Sequence, residues 1–153
     1  ESAMINPRKS NDLEVARMQN LHNNYQANKA SEELVCEIPV KVVFHRRDFG
    51  RGAFYALKGG KPIAYCVGNL QRREGRRSRF IITSTFVDPQ YQKQGVGFAL
   101  YRAILSTNIT LVSDWDQSEG AIALWERLMR EEPMGTVVRF KDGYFARKNL
   151  TRR

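Results

Sequence analysis

Gln92, Lys93, Gln94, Gly95, Val96 and Gly97 follow one another directly, between a β-branched run and an apolar helical stripe. That setting suits an anion. The first turn of a helix has backbone N–H groups with no partner inside the helix, its dipole adds partial positive charge, and small residues let a ligand reach the main chain. The amides of these six residues could therefore cradle a pyrophosphate, with Lys93 adding charge. Two common phosphate motifs are excluded. GVGFAL lacks the third glycine of the dinucleotide fingerprint, and no GxxxxGKS or GxxxxGKT occurs.

A second set of residues could handle protons. Asp114 and Asp116 stand just past the short strand pattern NITLVSD. Asp116 is as readily a helix cap, three residues before Glu119, whereas Asp114 has less structural explanation. Thr83, Ser84 and Thr85 could relay protons through water, or simply be strand residues. His45 could act near neutral pH, but among arginines it reads first as a surface residue. His22 lies beside or on a helical stripe and reads as structural. Cys66 alternates within a strand and reads as core, as does Trp125 on its helix; Cys36 has no assigned place. The two cysteines and two histidines show no ligand spacing, so no metal site is expected.

The elements that must position these groups are legible as patterns. Residues 10–26 read as a first helix, with Asn11 and Glu14 at capping-box spacing and Val15, Met18, Leu21 or His22, and Tyr25 as its stripe. MINPR before it could form a short edge strand. EELVCEIPVKVVFHRR is β-rich but holds Pro39, so an irregular segment with a strand at 41–45 is expected. ALKGGKPIAYCVG reads as a hairpin turning at Gly59-Gly60. RFIITSTFV is a strand that Asp88-Pro89 ends. Val96, Ala99, Leu100, Ala103 and Ile104 give a helix, as do Ala121, Leu124, Trp125, Leu128 and Met129. A hairpin formed by GTVVRF and YFARK closes the chain. The sum is an α/β domain, mixed around one sheet.

Length and charge bound the rest. The 153 residues suit one domain, read as 4–153, with Glu1, Ser2 and Ala3 ahead of Met4 as an appended remnant. No apolar run reaches membrane-spanning length, no secretory leader pattern is visible, and two cysteines make no disulfide framework, which fits a reducing cytoplasm. The net charge of +9 draws nucleic acid, acidic proteins or anionic cofactors. Arg72, Arg73, Arg76, Arg77 and Arg79 cluster in QRREGRRSR, with further basic groups in HRRDFGR and ARKNLTRR. The first cluster reads as a solvated hairpin tip, and next as a contact for nucleic acid or an acidic partner.

FVDPQYQKQGVGFALY resembles the acetyl-CoA-binding motif of the GNAT superfamily (GCN-related N-acetyltransferases), V-x-P followed by Q/R-x-x-G-x-G/A and a helix. Val87, Pro89, Gln92, Gly95 and Gly97 fill those places. The preceding hairpin and SEGAIALWERL are also similar to family segments, so the resemblance runs from about Phe54 to the C-terminus and, more loosely, takes in the first helix. It implies a mostly antiparallel sheet splayed between two parallel central strands, 79–87 and 109–113, flanked by helices. It implies that Phe86 and Val87 pair with the pantetheine arm like an added strand, that residues 92–97 hold the pyrophosphate, and that a neutral amine attacks the thioester directly. The family's usual thiolate acid, a tyrosine, is Trp125 here, and its usual asparagine is Ser118. Ser118 could donate to the thiol, or serve as a helix N-cap. The acceptor amine is left open among protein, nucleic acid and small molecule, and the protein between monomer and homodimer. A nucleic-acid-modifying enzyme of phage type and a degenerate domain that binds CoA or a partner are the alternatives.

Overall fold

The computed structural model describes residues 7–113, 119–131, 135–140 and 143–148. Helix α1, Pro7–Ala27, starts earlier than its sequence pattern. Proline fits a first helical turn, where its missing N–H would have had no partner. Asn11 and Glu14 therefore lie inside the helix, not at its start. Pro7 and Arg8 are helical too, which removes them from the expected edge strand; the rest of MINPR lies outside the described residues. Leu21 and Tyr25 are buried and Met18 is half-buried, but Val15 is 54% exposed and leaves the stripe. His22 is exposed, on the flank of that stripe.

A short 3-10 turn leads into β1 (Glu32–Cys36) and β2 (Lys41–Arg46). The sequence suggests one strand here and the chain forms two, paired antiparallel from Glu32↔His45 to Cys36↔Val42. Pro39 falls in the connection between them, so it interrupts no ladder. β3 (Arg51–Lys58) and β4 (Lys61–Gln71) form the hairpin around Gly59-Gly60, and β5 spans Arg79–Val87. Helix α2 (Val96–Leu105), β6 (Thr110–Val112), helix α3 (Glu119–Glu131), β7 (Gly135–Phe140) and β8 (Gly143–Lys148) follow.

The strand order is β1-β2-β3-β4-β5-β6-β8-β7. β5 and β6 are parallel and the other pairs antiparallel. The parallel pair joins at Arg79↔Thr110, Phe80↔Leu111 and Ile81↔Val112 and goes no further. Beyond Ile81, β5 is paired with β4 alone, through Ala64↔Val87. The β4–β5 register shifts between Val67 and Gly68, at the level of Ile82. A Cβ on Gly68 would collide with the Ile81 carbonyl, so this close approach requires glycine. Bulges raise local twist, and this one sits where β5 turns away from β6.

Apolar residues fill both faces of the sheet. Phe54, Phe80, Leu100, Ile104, Leu111, Trp125 and Leu128 form one buried cluster between the strands and the α2 and α3 helices. Leu21, Tyr25, Val43, Tyr55, Leu57 and Phe86 form the other, beneath α1. Each such large side chain contributes about 1.5–3 kcal/mol by burial. Trp125 is 1% exposed, edge-on to Tyr101 with ring centroids 5.4 Å apart, in keeping with a core role. Cys66 is fully buried, and burial pushes its thiol up to about 12. Among the described residues, no helix is long and apolar enough to cross a membrane.

Candidate active site

The gap between β5 and β6 opens toward the loop that joins β5 to α2. Asp88 begins that loop, its carboxylate accepting from the Gln90 N–H at 2.9 Å, while Pro89–Tyr91 make one 3-10 turn. The Gln92 side chain folds back and donates to the Val87 carbonyl at 3.0 Å; Gln94 donates to the Gln90 carbonyl at 3.2 Å. Both glutamine amides thus brace the loop.

Lys93 and Gly95 take left-handed conformations, with φ of 65° and 80°. Gly95 is the N-cap of α2, and the first bond of the helix is Ala99 N–H to the Gly95 carbonyl, 2.9 Å. Ahead of that bond, the N–H groups of Val96, Gly97 and Phe98 have no partner inside the helix. Consecutive donors in alternating conformations form a concave anion seat, and the α2 dipole reinforces it.

A cleft of about 680 Å³ runs from this loop along the free edge of β5. Phe86 and Val87 line it, as do Gln92, Lys93, Gly95, Val96 and Gly97; of the residues expected from the sequence to hold the cofactor, Gln94 does not. Helix α3 forms one wall through Gly120, Ala121 and Leu124; α1 reaches the other side with Leu13, Glu14 and Arg17. A Cβ on Gly97 would stand 3.5 Å from Leu124 Cδ2 and 3.8 Å from Val87 Cγ2. A larger side chain there would enter the cleft.

Several cleft residues are invisible as a set in the sequence. Arg127 lies over the Phe98 ring, its Cζ 4.0 Å from the centroid, with Nη1 3.8 Å from where a Gly95 Cβ would be. Arg17 stands 5.9 Å from the Phe86 ring centre. With Lys93 they bring three cations, from α1, the loop and α3, to one cleft. Tyr101 lies beneath it, 1% exposed, its hydroxyl 2.8 Å from Thr85 Oγ1. Burial, then the neighbouring Cys66, push the Tyr101 phenol well above its ordinary range. Glu14 is the carboxylate that lines the cleft among the described residues. Only spacing within one helix could have marked Arg127 or Tyr101, and that spacing signals packing equally well.

Asp114, Asp116 and Ser118 lie outside the described residues. Thr85 reaches the cleft, while Thr83 donates to the Val67 carbonyl at 3.1 Å. His45 is not a surface residue. It is fully buried beneath α1, stacked 5.0 Å from Tyr25 and 2.9 Å from Glu32 Oε1 through Nε2. Burial raises the Glu32 pKa, but hydrogen bonds from His45 and Tyr25 outweigh it and hold the carboxyl below its ordinary value. The Arg72–Arg79 cluster occupies the β4–β5 connection, at the far end of the sheet from the cleft.

The model of the acetyltransferase (GNAT) family matches residues 16–130. A comparison with curated protein sequences gives no match. Among solved structures, the chain is similar to an aminoglycoside acetyltransferase from an uncultured soil metagenomic sample. That match has 21% identity, covers 54% of this chain and 60% of the other, and has a TM-score of 0.45. A ribosomal-protein-alanine N-acetyltransferase from Brucella melitensis biovar Abortus 2308 matches at 14% identity, 54% and 63% coverage and a TM-score of 0.46. Arabidopsis thaliana Naa50, solved with a bisubstrate analogue of CoA and a peptide, matches at 13% identity, 61% and 69% coverage and a TM-score of 0.43. The chain spans less than two thirds of the first two of these proteins.

Proposed function

The chain belongs to the acetyltransferase (GNAT) family, and on that premise we propose that it moves an acetyl group from acetyl-CoA to an amine held at the parted strands. The observation that carries this reading is the glycine loop opening into the N-terminal turn of α2, whose first N–H groups have no partner inside the helix, at the mouth of a cleft with an unpaired strand edge. That turn fits a pyrophosphate. The β5 edge at Phe86 and Val87 fits the amides of pantetheine, which would join the sheet as a short added strand. Lys93 and Arg127 supply counter-charge.

In the reaction a neutral amine nitrogen bonds to the acetyl carbon, the carbon–sulfur bond breaks, the nitrogen loses a proton and the sulfur leaves as thiolate. Holding both reactants in one cleft supplies proximity. Glu14 is the described carboxylate placed to take the proton from the amine. The Tyr101–Thr85 hydroxyl pair faces the same cleft. A phenol pushed upward holds its proton, so its contribution to the leaving sulfur is a donated hydrogen bond. Asp114, Asp116 and Ser118 stay candidates for proton handling on sequence grounds. The acceptor is an amine on a protein, nucleic acid or small molecule.

The test is thermal denaturation with acetyl-CoA and with CoA, then thiol release against a panel of amines. Ligand at a hundred times its Kd stabilises by about 2.7 kcal/mol, which moves Tm by roughly 2–4 °C per kcal/mol. No shift at millimolar ligand rejects the cofactor, and a shift with no thiol release from any amine rejects the transfer.

A further inference from the structure

The end of the sheet remote from the cleft carries its own surface. β5 is nine residues long, so at ~3.3 Å per residue this end lies roughly 25–30 Å from the glycine loop. Two connections meet there, β2–β3 at 47–50 and β4–β5 at 72–78. The Leu70 N–H donates to the Gly50 carbonyl at 2.8 Å, and Arg51 pairs with Asn69 in register. This brings HRRDFGR and QRREGRRSR side by side, two segments the sequence separates by about twenty residues. From Arg46 to Arg51 and Arg72 to Arg79 they hold eight arginines against two carboxylates, Asp48 and Glu74.

The arginines divide by task. Arg47 turns inward and donates to the Tyr55 hydroxyl at 2.7 Å. Arg73 donates through Nε and Nη2 to the Arg77 carbonyl, at 3.1 and 2.7 Å, and folds the loop on itself. Arg46, Arg51, Arg72 and Arg76 stay exposed, with no ion pair to a described carboxylate. The charges crowd one another: partial desolvation, then Arg79 and Arg76, hold the Arg73 guanidinium below its ordinary pKa.

At the tip of the first connection is Phe49. Its side chain is 96% exposed, the most exposed of the large apolar residues described. Its φ of 60° is a left-handed conformation that an aromatic residue seldom takes. The hairpin turn between β2 and β3 accounts for the backbone, since Phe49 and Gly50 are its two central residues and both take positive φ; the exposure has no such reason, because the ring is outside both buried clusters. Unpaired guanidinium groups beside a bare aromatic face match a ligand with phosphates along its backbone and flat rings free to stack. A nucleic-acid single strand has both; an acidic protein has the charge without the rings.

We propose that the arginine connections and Phe49 form a binding surface for single-stranded nucleic acid, separate from the acetyl-CoA cleft. The surface stands whether or not the cleft transfers acetyl groups, and its test does not pass through that activity.

Fluorescence anisotropy with labelled single strands of DNA and RNA, about twenty nucleotides long and titrated with salt, reads the surface directly. The protein should bind, with affinity falling steeply as salt rises. Replacing Arg72 and Arg76 together by alanine should weaken binding and flatten the log–log salt slope by roughly 1.4, at about 0.7 for each phosphate no longer neutralised. Phe49→Ala should weaken binding about tenfold and leave the slope unchanged, because stacking releases no counterions. Phe49→Trp should restore it. All variants should keep a cooperative thermal transition near the parent's Tm, which confirms folding without recourse to the cleft. Absence of binding at low salt overturns the proposal. So does Phe49→Ala binding like the parent, or polyglutamate competing as well as an unlabelled strand at equal charge, which would assign the surface to an acidic protein.

Discussion

At the end of the sheet where β5 and β6 part, positive potential comes from the main chain: the N–H groups that open α2, on a loop braced by Gln92 and Gln94. At the opposite end it comes from side chains, on two connections tied by one backbone bond from Leu70 to Gly50. Each end also holds a non-glycine residue at positive φ, Lys93 in one and Phe49 in the other. At Lys93 the strained turn aims amides; at Phe49 it lifts a ring into solvent. The contrast is one of preorganisation. The loop presents a fixed seat shaped for one compact anion, while the arginine connections offer charge that can rearrange along an extended one.

The contrast breaks most decisively at Gly97. Gly97→Trp should fill the space between Val87 and Leu124 and abolish the Tm shift caused by acetyl-CoA, a loss of about 2.7 kcal/mol of stabilisation at ligand a hundredfold over Kd. Tyr101→Phe keeps the ring against Trp125 and removes the hydroxyl from Thr85. It should lower kcat about tenfold, roughly 1.4 kcal/mol of barrier, with the acetyl-CoA-induced Tm shift unchanged; an unchanged kcat would remove Tyr101 from the chemistry. Glu32→Gln tests whether the buried pair beneath α1 is structural. The folded Glu32 pKa lies below its unfolded value, so its contribution is present above the ordinary carboxylate pKa and fades as pH falls through the folded one. The variant should be about 1 kcal/mol less stable at pH 7 by urea unfolding, and the gap should close below about pH 4. Phe49→Gly relieves the left-handed strain and should raise stability by up to about 1 kcal/mol, while sacrificing the proposed stacking.

Much of the fold is legible in the sequence because its signals are local. The β5 strand runs from Arg79 to Val87 as its β-branched run indicates, and the glycine turn opens a helix at Val96. The structure departs from the sequence pattern where a single residue has to decide too much. Pro39 suggests a disrupted strand, but it marks the gap between two. Asn11 and Glu14 have cap spacing, but Pro7 begins the helix upstream. His45 sits beside Arg46 in sequence, yet strand alternation turns it to the interior, where Nε2 meets Glu32 and the ring stacks on Tyr25, while Nδ1 has no partner among the described residues. The glycine loop proposed to seat the cofactor can be seen because a backbone site is written in consecutive residues. Arg17, Tyr101 and Arg127 cannot, because three helices bring them to one cleft. The pairing of the Phe49 turn with the arginine loop depends on the β3–β4 register.

A strand with a partner on one side only keeps time on the other. Along β5 from Ile82 to Val87, alternate amides point toward β4 and toward the open gap. In deuterated water the two sets should exchange at different rates, so the strand should label in a comb pattern. A molecule that lies along the gap would slow only the exposed teeth. The same strand that forms the cleft therefore records, residue by residue, how far into it a ligand reaches.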